Sequence, residues 1–247
     1  MEKIKSERTG NFLINAIKKF PGLLYRHFFR KILPTVEYQT FAGIKVNPIK
    51  IGDKYLQSRQ RVFDQLKNPD YETALVRGLN RYVKDGDKIV IVGGGKGVTT
   101  CIASIRAGIH GAVICYEASR ESYKRIKKTL SYNSVPGNID VINKCVGEPI
   151  SVWGHFNDED IIASAELPEC DLLELDCEGA EKKILKEMTI RPDIILIETH
   201  GLYNSSTDEI EELLKDLDYK IESISIADIR SEEYCLKNDI KVIAARR

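Results

Sequence analysis

The sequence has no long apolar run. Its longest stretch free of charged residues, Thr129 to Ile139, is eleven polar-rich positions, whereas a membrane-spanning helix needs about 18 or more apolar ones. No segment is expected to cross a bilayer. Nor is there a surplus of either charge: 37 Lys plus Arg stand against 37 Asp plus Glu. No global field selects a partner, and a generic nucleic-acid coat is disfavoured. Cysteine is sparse and unpaired. Cys101, Cys115, Cys145, Cys170, Cys177 and Cys235 lie far apart, with no C-x-x-C motif and no secretory leader ahead of them. That pattern argues against a disulfide or zinc framework and for reduced, buried thiols in the cytoplasm. Repeats and low-complexity segments are missing too. What is present is an ordinary globular chain of 247 residues, 43% hydrophobic, enough for one good-sized core and a small appendage.

Charge is unevenly placed along that chain. Residues 1 to 33 hold eight Lys or Arg against two acids, which leaves 29 against 35 for residues 34 to 247. Pro21-Gly22 breaks this front end. After it, Leu24, Phe28 and Ile32 and then Tyr25, Phe29 and Leu33 recur every four residues, with Arg26, His27, Arg30 and Lys31 on the opposite half. A helix so divided suits an anionic membrane surface, with its aromatics at the headgroup boundary. The same face equally suits packing on its own domain or on a second subunit in a homo-oligomer. Residues 11–33 are therefore read as a basic amphipathic extension with peripheral membrane contact as one use.

From Pro34 to Pro69, short alternating runs (Val36 to Phe41, Ile44 to Val46) and turn residues suggest a small hairpin or lid. Beyond Asp70 the pattern is regular. Helices are expected at Tyr71 to Val83, Val98 to Ala107, Ser119 to Leu130, Ala180 to Met188 and Thr207 to Leu217. Strands are expected at Ile89 to Val92, Ala112 to Tyr116, Ile139 to Asn143, Asp171 to Asp176, Asp193 to Glu198, Tyr219 to Ile226 and Ile240 to Ala245. Several strands are near-continuous Ile, Val and Leu, as in strands covered on both faces. The last two are joined without a long helix, so the final strand should enter antiparallel. The reading is an α/β, doubly wound, mostly parallel seven-stranded sheet over residues 70–247, with an antiparallel last strand and a helical N-terminal extension.

In such a sheet, ligands sit beyond the carboxyl ends of the strands where the strand order reverses. Gly93-Gly94-Gly95-Lys96-Gly97 occupies that place after the first core strand. Glycines let the backbone bend sharply and approach a ligand, and the next helix directs free N–H groups at a negative group. A dinucleotide fingerprint would need a third glycine where Val98 stands, and no G-x-x-x-x-G-K-[ST] phosphate loop occurs. What remains is G-x-G-x-G. Twenty residues past Gly97, Glu117 ends the second strand, where a carboxylate can accept both hydroxyls of an adenosine ribose. Together these features resemble the cofactor half of class I S-adenosylmethionine-dependent methyltransferases, from about Asp87 to Asn143.

A second resemblance begins at Cys170. The run Asp171-Leu172-Leu173-Glu174-Leu175-Asp176-Cys177-Glu178-Gly179-Ala180-Glu181 resembles the D-x-L-K-I-D-V-E-G-A-E signature of FkbM-like methyltransferases. An acid-ending fifth strand (Ile194 to Glu198) and a final apolar strand (Ile240 to Ala244) extend the likeness to roughly Asp70 to Arg247. It implies a Rossmann-like class I fold, S-adenosylmethionine as cofactor, and O-methylation of hydroxyls on sugars, glycolipids or polyketide-type metabolites. The glycine corner and the strand-end acid make Gly93, Gly95, Gly97 and Glu117 the cofactor-binding candidates, and Lys96, a cation added to the family's loop, is placed to hold the methionine carboxylate. Three positions depart from the family. Ile91 stands where the first strand has an acid, Gly95 where Asn is common, and Glu174 where Lys is usual. The loss at Ile91 motivates a competing reading, a catalytically impaired cofactor-binding scaffold or regulatory protein.

Methyl transfer is an in-line displacement, so the enzyme must chiefly align the acceptor oxygen and exclude water. A carboxylate or imidazole in reach can take the hydroxyl proton. Asp176, Glu178, Glu198 and His200 are expected at the ligand-bearing edge and are the catalytic candidates. Each also has a plainer use: Glu178 at the start of its helix, Asp176 orienting loop or cofactor, His200 in an exposed loop. Carboxylates beside a histidine also bind divalent cations, but their spacing along the chain is not diagnostic and no metal is assigned. Trp153, His155 and Phe156 fall where a loop reaches over an adenine ring, or where it anchors in the core. The expected acceptor is a small molecule or glycan. No nucleic-acid partner is expected, because residues 34–247 are net acidic.

Overall fold

The computed structural model describes residues 30–50, 53, 71–147 and 160–247. The amphipathic stretch 11–33, apart from its last four residues, and Trp153, His155 and Phe156 lie outside the described residues. Two compact units divide the chain at Pro69/Asp70. In the first, β1 (Thr35–Phe41) and β2 (Ile44–Lys50) pair antiparallel around Ala42-Gly43. Arg30 reinforces this unit, its Nε donating to Asp53 at 3.0 Å and its Nη2 to the Pro48 carbonyl at 2.8 Å.

The second unit alternates helix and strand: α1 (Thr73–Tyr82), β3 (Lys88–Val92), α2 (Val98–Ala107), β4 (Ala112–Tyr116), α3 (Arg120–Tyr132) and β5 (Asn138–Ile142). Short β6 (Cys145–Val146) and β7 (Ile161–Ile162) pair with each other, a bridge that two-residue runs do not announce. Then come β8 (Leu172–Leu175), α4 (Glu181–Glu187), β9 (Ile194–Glu198), α5 (Thr207–Asp216), β10 (Lys220–Ile226), α6 (Glu232–Asn238) and β11 (Lys241–Arg246). The sheet order is β10-β11-β9-β8-β3-β4-β5. Its five core strands run parallel, and β11 enters antiparallel between β9 and β10. This is the doubly wound, seven-stranded sheet that the apolar alternation predicts. Between the last two strands the chain adds the short α6, so the connection is brief but not helix-free.

Continuous apolar strands arise because both faces are covered. Val90, Leu173, Ile195 and Ile243 pack into a core shared with Ile184 and Leu185 of α4 and Ile210 and Leu214 of α5. Residues one step along point the other way, and Leu196 meets Gly78 of α1. Each such Leu or Ile contributes about 1.5–3 kcal/mol of burial. α5 starts as its sequence dictates: the Ser206 hydroxyl accepts the Glu209 N–H, and Lys215 pairs with Glu211 at 2.6 Å. α4 starts one residue later than its apolar pattern suggests, after Glu178 and Gly179 adopt left-handed φ of 53° and 108°. Glu178 consequently precedes the helix rather than opening it.

The chain runs β3-β4-β5 towards one edge and β8-β9 towards the other, so the order reverses between β3 and β8. A crevice opens there beyond the carboxyl ends.

Candidate active site

Three glycines shape one wall of that crevice, with left-handed φ at Gly93 (94°), Gly95 (51°) and Gly97 (81°). Gly93 donates to the Tyr116 carbonyl at 2.8 Å. A Cβ there would overlap the Asp176 carbonyl oxygen, so only glycine lets β3 and β8 end side by side. Gly97 serves packing more than ligand approach, since an added Cβ would lie 3.1 Å from the Ile126 Cα of α3. Glu117 closes β4 and binds the glycine corner directly. Its Oε2 accepts the Gly95 N–H at 3.0 Å and its Oε1 the Ser119 N–H at 2.8 Å. Each oxygen keeps a lone pair for a hydroxyl donor. Burial raises the Glu117 carboxyl above its usual range, partly offset by these backbone bonds.

The cleft between these elements has a volume of about 370 Å³ and is lined by Gly93, Gly95, Lys96, Glu117, Asp176 and Glu178 among others. That is within the range of small-molecule sites. A glycine corner and an acid with spare lone pairs suit a nucleoside, so the residues present fit the cofactor of the resemblance. Lys96 lies with its Nζ 3.5 Å from the Tyr71 ring centroid. Burial lowers its affinity for a proton, while Glu72 opposes that shift.

Across the cleft, β8 and β9 end side by side and bring Asp176, Glu198 and His200 together. His200 Nε2 is 3.6 Å from Asp176 Oδ1 and 3.6 Å from Glu198 Oε1. Its Nδ1 lies 3.0 Å from Glu181 Oε1. Glu181 is fully buried and also accepts the N–H groups of Cys177 (3.0 Å) and Gly179 (2.8 Å). Burial would push its proton affinity up, but the bond from His200 and the backbone N–H groups win and hold it low. His200 mirrors this: burial disfavours its charge, yet Glu181, Asp176 and Glu178 outweigh burial and raise it. Burial and neighbouring Glu181 and Glu178 push Asp176 up to about 6, against the pull of His200. Burial and the charge of Asp176 likewise push Glu198 well up.

Six of the nine sequence-assigned residues therefore line one cleft, and Glu198 and His200 join it through Asp176; Gly97 does not face it. His200 is buried, not in an exposed loop. Sequence reasoning passed over Glu181, whose only signal is its place at the end of the Glu178-Gly179-Ala180-Glu181 run. It also passed over Tyr71 and Glu72, which line the cleft just before α1 and carry no local signal.

The parallel sheet with its reversal at a glycine corner defines a Rossmann-like class I methyltransferase fold. More particularly, residues 155–221 match the Methyltransferase FkbM domain, the family that the Asp171–Glu181 run resembles. Among solved structures, the chain is similar to a ribosomal protein L11 methylase from Lactobacillus delbrueckii subsp. bulgaricus (16% identity, 71% of this chain, 78% of that one, TM-score 0.47). It is similar to a SAM dependent methyltransferase from Aquifex aeolicus (14%, 77% and 100%, TM-score 0.48). A third is fibrillarin from Aeropyrum pernix, with natively bound S-adenosyl-L-methionine (17%, 70% and 73%, TM-score 0.46). No curated protein matches. No described helix is long and apolar enough to cross a membrane.

Proposed function

We propose that this chain transfers the methyl group of S-adenosylmethionine to a hydroxyl oxygen of a sugar, glycan or glycolipid. One observation carries the reading: a single cleft is lined by the glycine corner, by Glu117 and by Asp176 and Glu178. Donor recognition and proton acceptance thus lie within one ligand's reach. S-adenosylmethionine held there would supply an activated methyl group, displaced from sulfur to the acceptor oxygen, and this chain's own residues would hold the donor and take the hydroxyl proton. Glu117 takes the ribose hydroxyls, and Lys96 takes the methionine carboxylate. Asp176 and Glu178 line the cleft and accept the proton, with Asp176 close to the pH at which a base works best. Glu198 and His200 stand behind Asp176, outside the cleft lining. Residues 11–33 would bring the enzyme to an anionic lipid surface, where a lipid-linked glycan stands.

Calorimetric titration of the full chain with S-adenosylmethionine tests the reading. Saturable binding is expected, weakened about 10–100-fold in Glu117→Ala through loss of charge-assisted hydrogen bonds. Methyl label should then appear in a sugar or glycolipid acceptor. Binding without transfer to any hydroxyl acceptor would favour the scaffold reading, for which the buried Ile91 speaks; no binding by folded protein would overturn both.

A further inference from the structure

The three side chains at the ends of β8 and β9 are spaced for a different partner from a proton. A ligand-type atom of Asp176, of Glu198 and of His200 all lie within 4.8 Å of one another. Both carboxylates sit 3.6 Å from the same imidazole nitrogen, too far for a hydrogen bond. Ligands around one cation at about 2.0–2.2 Å stand roughly 3–3.5 Å apart, which these atoms reach with small adjustment.

Two further features point inward. The His200 side chain is 8% exposed, and its Nε2 has no hydrogen-bond partner among the described residues while facing both carboxylates. Its other nitrogen is held by buried Glu181 at 3.0 Å. That arrangement directs the Nε2 lone pair at the cluster, the usual support behind a metal-bound histidine. Asp176 and Glu198, 20% and 14% exposed, likewise accept no hydrogen bond at their carboxylates from any described residue.

We propose that Asp176, Glu198 and His200 form a divalent-cation site. Two carboxylates and one imidazole make a mixed oxygen and nitrogen set, which suits Mn²⁺ and its first-row neighbours better than Ca²⁺. Three protein ligands leave coordination positions for water or for the acceptor oxygen. In purpose the proposal rests on the methyl-transfer reading: a hydroxyl on the cation loses its proton more readily. The proton passes to Glu178, a carboxylate of the cleft lining next to Asp176 but outside the trio, as the oxygen bonds to the methyl carbon. In geometry it rests on the three side chains alone.

The test is titration of the full chain with Mn²⁺, following the free-ion EPR signal. One equivalent should be taken up, with at least tenfold weaker uptake in Glu198→Gln, Asp176→Asn and His200→Gln, each confirmed as folded by circular dichroism. Glu117→Ala should lose cofactor affinity and keep Mn²⁺. Wild-type protein that leaves Mn²⁺ free at millimolar concentration overturns the proposal, as do folded variants that bind like wild type. The two readings fail separately. Mn²⁺ uptake without S-adenosylmethionine binding leaves the cation site standing and removes its methyl-transfer purpose, whereas cofactor binding without Mn²⁺ uptake removes the cation alone.

Discussion

The two walls of the cleft are built on opposite plans. On the β3/β4 side, polar groups are paired: Gly93 N–H with Tyr116, Glu117 with the N–H groups of Gly95 and Ser119. Backbone geometry does the work there, through three glycines with left-handed φ. On the β8/β9 side, Asp176 and Glu198 stand 3.6 Å from one imidazole nitrogen, while Glu181 behind it is fully hydrogen-bonded. A wall whose polar groups are already satisfied is pre-organised for an invariant ligand. A wall whose charges repel one another is poised to exchange a proton or a cation. The contrast suits a cofactor common to a class and chemistry that differs with the acceptor.

The strongest way to break this comparison is at the seam where the walls touch. In Gly93→Ala the new methyl would collide with a backbone oxygen of Asp176, which cannot swing aside as a side chain can, and φ of 94° is strained for alanine. We expect a loss of about 4 kcal/mol in unfolding free energy, measured by urea denaturation, together with loss of calorimetric cofactor binding. Near-native stability with native affinity would mean that the corner is not set by backbone approach.

A smaller effect sharpens the comparison beneath the floor. Glu174 stands in register between Ile91 and Leu196 and is fully buried. Neither of its oxygens finds a well-formed hydrogen bond among the described residues, although the nearby Thr99 hydroxyl pulls its proton affinity down by more than Asp176 raises it. Burial first, then the charge of Asp176, push it from 4.5 to about 8. Between those values the folded chain holds a proton that the unfolded chain has released. Stability from this group is therefore complete at low pH, falls as pH rises from about 4.5 to about 8, and is flat above. Glu174→Gln is neutral throughout. Its stability relative to the native chain should grow across that window, to about 2–4 kcal/mol at pH 8. Urea unfolding with a chelator present checks this, and the difference between the two proteins cancels the other carboxylates. Parallel profiles would show that Glu174 is ionised in the fold.

What could be read in advance follows from the range of the forces involved. Ile89 to Val92 and Ile194 to Ile197 announce buried parallel strands because burial on both faces leaves no polar alternation. Glu117 is legible as a strand end beside a glycine corner. Adjacent β8 and β9 ends follow from the parallel topology, which is why Asp176, Glu198 and His200 meet. Glu178 lies before α4 rather than opening it, which apolar periodicity misses because it is blind to the left-handed φ of Glu178 and Gly179. Glu181 looks like a solvated helix acid until its three partners are known. Glu174, an acid inside an apolar strand, reads as charged, and only its surroundings make it neutral. Tyr71 and Glu72 reach the cleft through tertiary packing that no local pattern records.

The mildest expected effect concerns the one cation in the glycine loop. Lys96 lines the cleft, and its ammonium sits against the Tyr71 ring at 3.5 Å from the centroid. If it holds the methionine carboxylate, the cofactor must draw it from a contact that already contributes about 0.5–2 kcal/mol, so the net gain is small. Lys96→Met keeps the stem and removes the charge. Affinity for S-adenosylhomocysteine should fall only about 3–10-fold by calorimetry, while affinity for adenosine, which lacks the carboxylate, should stay the same. Equal losses for both ligands would move Lys96 from ligand contact to loop support. The glycine loop would then act through its backbone and Glu117, without its own cation.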